Sequence, residues 1–213
     1  MKTLDLAAML AMGADLERVD APRRRLVYAI GFGAAGSTIL MLLLMPVNPD
    51  LGNAVHLLKF WEKVVFVGAI AGAALLAVTR LSRPGIRLGP TLPALMTPVL
   101  AMWILAAMTL LDADPAERGA LFLGKTWAVC PFLIALLATP VFAATLWAMR
   151  GLAPTRLRLA GAAAGLLSGA AGAVVYCFHC PELEAPFIAF WYLLGILIPT
   201  VIGTVFGDKL LRW

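Results

Sequence analysis

The sequence predicts an all-α polytopic membrane protein, a six-helix transmembrane bundle with short loops. Three observations predict it. The 213 residues are 62% hydrophobic and 14% charged, with a mean hydropathy of +0.92, whereas a soluble domain carries about a quarter charged residues. The charges are clustered, and the runs between them reach the roughly 20 residues needed to cross a bilayer. No stretch alternates as a half-buried strand would, and helices satisfy their own backbone in lipid. Little chain is left over for a soluble domain.

Taken in chain order, residues 1–25 form a cytoplasmic segment and 26–213 the six-span transmembrane domain. In the first segment Met9, Met12, Leu16 and Val19 fall on one helical face, and Pro22 ends the run. The side chains of residues 1–20 set Lys2 and Arg18 against Asp5, Asp15, Glu17 and Asp20, two minus four, a net −2. A helix lying on a membrane surface usually carries Lys and Arg on its polar face. Acidic flanks are instead repelled by anionic lipid and attracted to a basic protein, and an apolar stripe suits a groove on such a partner. The four apolar residues are therefore read as partner-binding, with a lipid-surface helix as the plainer alternative.

Span 1 is Leu26–Met45, free of charge. Span 2 is about Phe60–Thr79, with Glu62 and Lys63 near its mouth. Span 3 is about Pro93–Leu111, span 4 about Thr126–Met149, span 5 about Leu159–Tyr176 and span 6 about Pro186–Phe206. The breaks at Pro46–Pro49, Arg80–Pro90, Asp112–Lys125, Arg150–Arg158 and Cys177–Ala185 are short, so successive helices run antiparallel. Gly161, Gly165 and Gly169 recur every four residues along span 5. Close backbone approach over glycine is what draws helices together in lipid, so span 5 is expected at the centre. Gly68 with Gly72 and Gly203 with Gly207 mark spans 2 and 6 as its neighbours by the same reasoning. Pro98, Pro140 and Pro199 lie inside spans, and most tryptophans sit near span ends, as interface anchors do.

Basic residues orient the bundle. With the N-terminus inside, thirteen of the 17 Lys and Arg fall in inside segments, leaving Lys59, Lys63, Arg118 and Lys125 outside. The positive-inside rule then puts both termini in the cytoplasm. No cleavable signal peptide is visible, because span 1 is too long for a signal core. The formal charge of +5 reads as topology and not as nucleic-acid binding.

This topology brings every cysteine and histidine to the outer side. His56 lies in the first outer loop. Cys130 is read roughly 7 Å into span 4 at ~1.5 Å per residue. Cys177, His179 and Cys180 lie in the loop "YCFHCPELEAPF". Three readings compete for this group. It can be loop and helix-end residues without chemistry, since free cysteine is a common small apolar residue. It can be redox-active, because Cys177-Phe-His-Cys180 has the C-x-x-C spacing of an exchanging thiol pair, a weak signal when alone. It can bind metal, with Cys130, Cys180 and His179 as ligands and Cys177 or Glu182 completing the shell. Thiolate and imidazole suit zinc, cadmium or another soft ion, bound transiently, and no obligatory cofactor is implied.

Apart from Glu62 and Lys63, no ionisable residue lies within a span, which argues against ion-coupled transport. There is no Ser/His/Asp set, no H-E-x-x-H and no P-loop. Only thiol chemistry has candidate residues, and the chain is read as a non-enzyme.

A short N-terminal helix ending in Pro-Arg-Arg and followed by six spans resembles the NrsF-like family of bacterial membrane anti-sigma factors. The resemblance rests on "FWEK" opening span 2, "CP" at Cys130-Pro131 and "HCPE" at His179–Glu182 followed by "FW". It covers nearly the whole chain. It implies an inner-membrane protein that holds an extracytoplasmic-function sigma factor and releases it when paired outer cysteines meet heavy metal or oxidant. Carried over, the sensor thiols are Cys130 and Cys180. Cys177 is an addition to the pattern, which leaves open whether Cys180 pairs with Cys130 or with Cys177. The alternative is a membrane thiol–disulfide oxidoreductase using Cys177 and Cys180. Membrane lipid is the remaining partner, and nothing in the sequence sets the oligomeric state.

Overall fold

The computed structural model describes residues 21–82, 89–152 and 154–212. The partner-binding stripe expected at Met9, Met12, Leu16 and Val19 lies outside them. Six helices are long and apolar enough to cross a membrane. They are α1 (Ala21–Leu44), α2 (Leu58–Leu81), α3 (Thr91–Asp112), α4 (Cys130–Arg150), α5 (Leu157–Tyr176) and α6 (Ala185–Leu210). Single helical turns at Leu51–Ala54 and Arg118–Leu123 cap the α1–α2 and α3–α4 connections. The described residues contain no strand, so the all-α expectation holds.

α5 is the most buried helix and packs against α6, α4, α2 and α1. Its glycines explain this position. A Cβ on Gly161 would lie 2.0 Å from the Gly203 carbonyl oxygen, and one on Gly165 would lie 2.1 Å from that of Pro199. Gly169 meets Ile196 in the same way, and Gly207 meets Leu157. The α5–α6 seam is therefore backbone on backbone, closer than any side chain allows. One expectation fails here. Gly68 and Gly72 have nothing within 4 Å of the added Cβ. α2 does pack on α5, but its buried face carries Val67, Ile70, Ala73, Ala74 and Ala77. Small alanines allow that approach, and the glycine pair faces away from it.

α1 lies on α4. The Ser37 hydroxyl donates to the Leu137 carbonyl at 2.5 Å, and Gly33 meets the Val141 backbone. Pro140 cannot donate to the Leu136 carbonyl, and the Thr139 hydroxyl does so at 2.7 Å. α3 is the least buried helix, placed against α2 and the start of α6.

Two helix starts and one internal turn differ from expectation. α1 begins at Ala21 and not at Leu26. α4 begins at Cys130 and not at Thr126, because residues 126–129 form a turn and Pro131 takes one of the first helical positions, where its missing N–H costs nothing. Cys130 thus opens α4 and does not lie a turn inside it. α6 contains a wide π turn at Ile188–Tyr192, which no residue pattern announced.

The two ends of the bundle differ chemically. At one, the Arg25 guanidinium sits 4.4 Å over the Trp147 ring, Arg150 donates to the Leu210 carbonyl and Arg158 pairs with Asp208 at 2.6 Å. The other end holds the cysteines.

Candidate functional site

The site forms where α5 runs out. Cys177, Phe178 and His179 continue α5 as one more turn, and the Cys180 N–H donates to the Tyr176 carbonyl at 3.0 Å. The chain then crosses the end of the bundle from Pro181 to Glu184 before α6 begins. Each neighbour ties this crossing down. The Asn48 N–H donates to the Phe178 carbonyl at 3.1 Å, and Lys59 pairs with Glu184 at 2.8 Å. On the α3–α4 side, Glu182 accepts from the Lys125 N–H at 2.7 Å. Gly124 makes room for that carboxylate: its φ is +57°, and a Cβ there would lie 2.9 Å from it. Glycine alone adopts this conformation without penalty.

All three cysteines are free thiols and at most 1% exposed. Cys130, at the start of α4, and Cys180 come together in one buried cluster, near enough for their thiols to interact. Their surroundings are aromatic and hydroxylic. Thr126 Oγ1 lies 3.9 Å from the Cys180 sulfur. The Tyr176 hydroxyl reaches both thiols. The Tyr192 hydroxyl, carried on the π turn, is buried without a partner in good hydrogen-bond geometry and faces Cys177 and Cys180.

Environment separates the two loop thiols. The interaction with the Cys130 thiol holds the Cys180 thiol below its ordinary range, and the positive charge of Lys63, the Tyr192 hydroxyl and the Glu182 N–H act in the same sense against burial. Lys63 and Tyr192 act on Cys177 too, but without the Cys130 interaction burial outweighs them and pushes its thiol up to about 12. The thiolate is the reactive form, so these surroundings favour Cys180 over Cys177 as the attacking thiol of the C-x-x-C.

The expected metal shell does not assemble. Among the described residues, no three His, Cys, Asp or Glu side chains are arranged to hold a metal ion. His179 donates from Nδ1 to the Pro46 carbonyl at 2.6 Å, and its ring lies tilted against Tyr176 with centroids 5.5 Å apart. Glu182 is committed to Lys125. What remains is a two-thiol pair, Cys130 with Cys180, with Cys177 buried in the same cluster.

One residue of the site escaped the sequence reading. Lys63 of α2 is fully buried, and its ammonium donates to the carbonyls of Cys180 at 3.0 Å and Glu182 at 3.1 Å. The signal was present, since a lysine inside a span is costly and seldom idle. Its position near the span mouth made it look like an interface charge.

A family model described as negative regulator of sigma F, NrsF, matches residues 10–213. Two relatives align over all of this chain and all of their own. A protein of Azospira oryzae named probable anti-sigma-F factor NrsF is 57% identical over 213 residues. The anti-sigma-F factor NrsF of Caulobacter vibrioides is 41% identical over 216 residues. No solved structure matches the chain.

Proposed function

Because the chain belongs to the NrsF family, the negative regulators of sigma F, we propose that it is an anti-sigma factor whose outer thiols control release of its partner. It holds an extracytoplasmic-function sigma factor at the bacterial inner membrane, with both termini in the cytoplasm. The residue 1–20 segment, with Met9, Met12, Leu16 and Val19 as its apolar stripe, binds the sigma factor. An oxidant or a soft heavy-metal ion acting on Cys130 and Cys180 lets it go.

One observation carries this reading: two free thiols from distant elements meet, buried, at the end of the bundle opposite the arginines. Cys130 opens α4, α4 carries α1 through Ser37 and Gly33, and α1 leads back to the N-terminal segment. Linking Cys130 to the loop after α5 therefore strains the helix on which α1 rests. Packed helices have discrete arrangements and do not deform smoothly, so a local change at the thiols can be read at the far end.

The test is a cysteine series read by co-purification of the sigma factor and by its target genes. Cys130→Ser and Cys180→Ser should each change the response to cadmium or peroxide, and the double variant should be no worse than the stronger single one. Cys177→Ser should matter less. Equal effects of Cys177→Ser and Cys180→Ser with a silent Cys130→Ser would favour a C-x-x-C oxidoreductase instead.

A further inference from the structure

We infer that Lys63 is the positioning residue that decides which cysteine Cys180 pairs with: by gripping the carbonyls on either side of Pro181 it directs Cys180 to Cys130 and away from Cys177. The inference rests on the thiol-pair reading above and adds to it a selector that lies outside the thiols.

Three thiols share this end of the bundle, and the nearer partner in sequence is the wrong one. Cys177 and Cys180 are three residues apart on a continuing helical turn, a spacing that puts side chains on one face. Left to itself, the loop would favour the local C-x-x-C bridge, because closing a short loop costs less chain entropy than joining residues 50 apart. Something must hold Cys180 against α4.

Lys63 has the geometry for it. Its ammonium accounts for the Cys180 and Glu182 carbonyls, which stand in a non-helical crossing with no helical donor of their own. No carboxylate pairs with it among the described residues. Phe60, one turn earlier on α2, offers its ring at 5.5 Å. A buried cation satisfied by backbone carbonyls, and not by an acid, is bound to the position of that backbone. If the crossing shifts, the ammonium loses its acceptors in a dry site, which is strongly unfavourable. The groups facing Cys180 from the packed elements are Cys130 of α4 and Thr126 in the turn before it, Lys63 of α2, Tyr176 and Cys177 of the α5 end and Tyr192 of α6. Only Lys63 brings a charge. The Glu182 carboxylate and the His179 ring are turned to Lys125 and Pro46.

Hydrogen peroxide serves as the oxidant. The Cys180 thiolate attacks one peroxide oxygen; an S–O bond forms as the O–O bond breaks, and the departing hydroxide takes a proton to give water. The Cys130 thiol then attacks the Cys180 sulfur, the S–S bond forms, the S–O bond breaks, and a second water leaves with the Cys130 proton. Two thiols lose two electrons and one peroxide becomes two waters.

The experiment maps disulfides by mass spectrometry in the purified full-length chain after peroxide treatment and acid quenching. In the unaltered protein the Cys130–Cys180 bridge should exceed Cys177–Cys180 about tenfold or more. Lys63→Met should cut that ratio about tenfold or invert it, since hydrogen bonds from a charged donor are each strong enough to shift a population by that factor. Lys63→Arg, which keeps charge and donors, should restore it, and a merely space-filling lysine would not show this rescue. If Lys63→Met does not fold, Lys63→Gln provides a neutral replacement, and the unaltered chain is itself a test. Mainly Cys177–Cys180 in the unaltered protein, or the same ratio in every Lys63 variant, overturns the inference. The sensor reading fails separately: a Lys63-dependent bridge with no change in sigma-factor retention would reject the sensor and leave Lys63 in its role.

Discussion

A matched pair of glycine substitutions tests whether the α5–α6 seam holds the two ends of the bundle together. In Gly161→Ala the new Cβ would lie 2.0 Å from the Gly203 carbonyl oxygen and 2.9 Å from its carbon, where real contacts do not fall below 3.0 Å. The obstacle is backbone, so the helices must part by about 1 Å, the difference between 3.0 and 2.0 Å. A gap of that size forfeits a quarter to a half of each dispersion contact, and a seam of about 40 atom pairs at ~0.15 kcal/mol each then loses ~1.5–3 kcal/mol. The usual cost of overpacking, about 1–3 kcal/mol, agrees. Gly68→Ala meets nothing within 4 Å and should stabilise its helix by ~0.5–1 kcal/mol. Unfolding midpoints in detergent should therefore move in opposite directions, with Gly161→Ala also altering sigma-factor retention. Equal midpoints for the two variants would refute the seam.

Four further outcomes are expected. Gly124→Ala should destabilise by about 1–3 kcal/mol, because it forces alanine to φ +57° against the Glu182 carboxylate, and it should speed labelling of Cys180; an unchanged thermal midpoint would reject the lock between the two loops. As pH rises, alkylation should reach Cys180 below the ordinary thiol value of about 8.5, because its lowered value populates the thiolate earlier, whereas Cys177 should stay unreactive until pH approaches about 12; coincident profiles would contradict this. Buried native thiols report sidedness poorly, so Lys59→Cys, at a side chain 54% exposed, should react with an impermeant reagent in intact cells and Arg156→Cys only after permeabilisation; the reverse pattern would invert the topology. Deleting residues 2–20 should leave the bundle in the membrane and free the sigma factor, and unchanged co-purification would move the partner site to the arginine-rich loops.

Much of the site could be read without a structure. Topology puts all three cysteines and both histidines on one side, and it is the resemblance to the NrsF-like family that singles out Cys130 and Cys180 among them. What could not be read was which of the outer residues touch. His179 sits beside Cys180 in sequence, yet its ring turns to Pro46, because a helical turn sends adjacent side chains in different directions. Glu182 looked like a ligand, but it is held at Lys125 by the left-handed Gly124, a residue 58 positions earlier.

Six spans follow from sequence alone because lipid leaves the backbone no choice: a run of about 20 apolar residues must close its own hydrogen bonds. The centrality of α5 follows too, since a glycine every fourth residue makes one flat face whatever lies opposite. Tertiary structure had to decide the rest. The pattern Gly68-x-x-x-Gly72 has the same form as Gly161-x-x-x-Gly165, and only packing shows that one faces open space and the other a carbonyl. Lys63 reads as a charge at the membrane edge until the crossing after α5 folds over it and hands it two carbonyls. Local patterns dictate which groups a helix presents. Which of those groups is buried, and against what, depends on chain brought from far away: all three thiols are equally buried, and it is Cys130 of α4 and Lys63 of α2 that set the surroundings of Cys180 apart from those of Cys177.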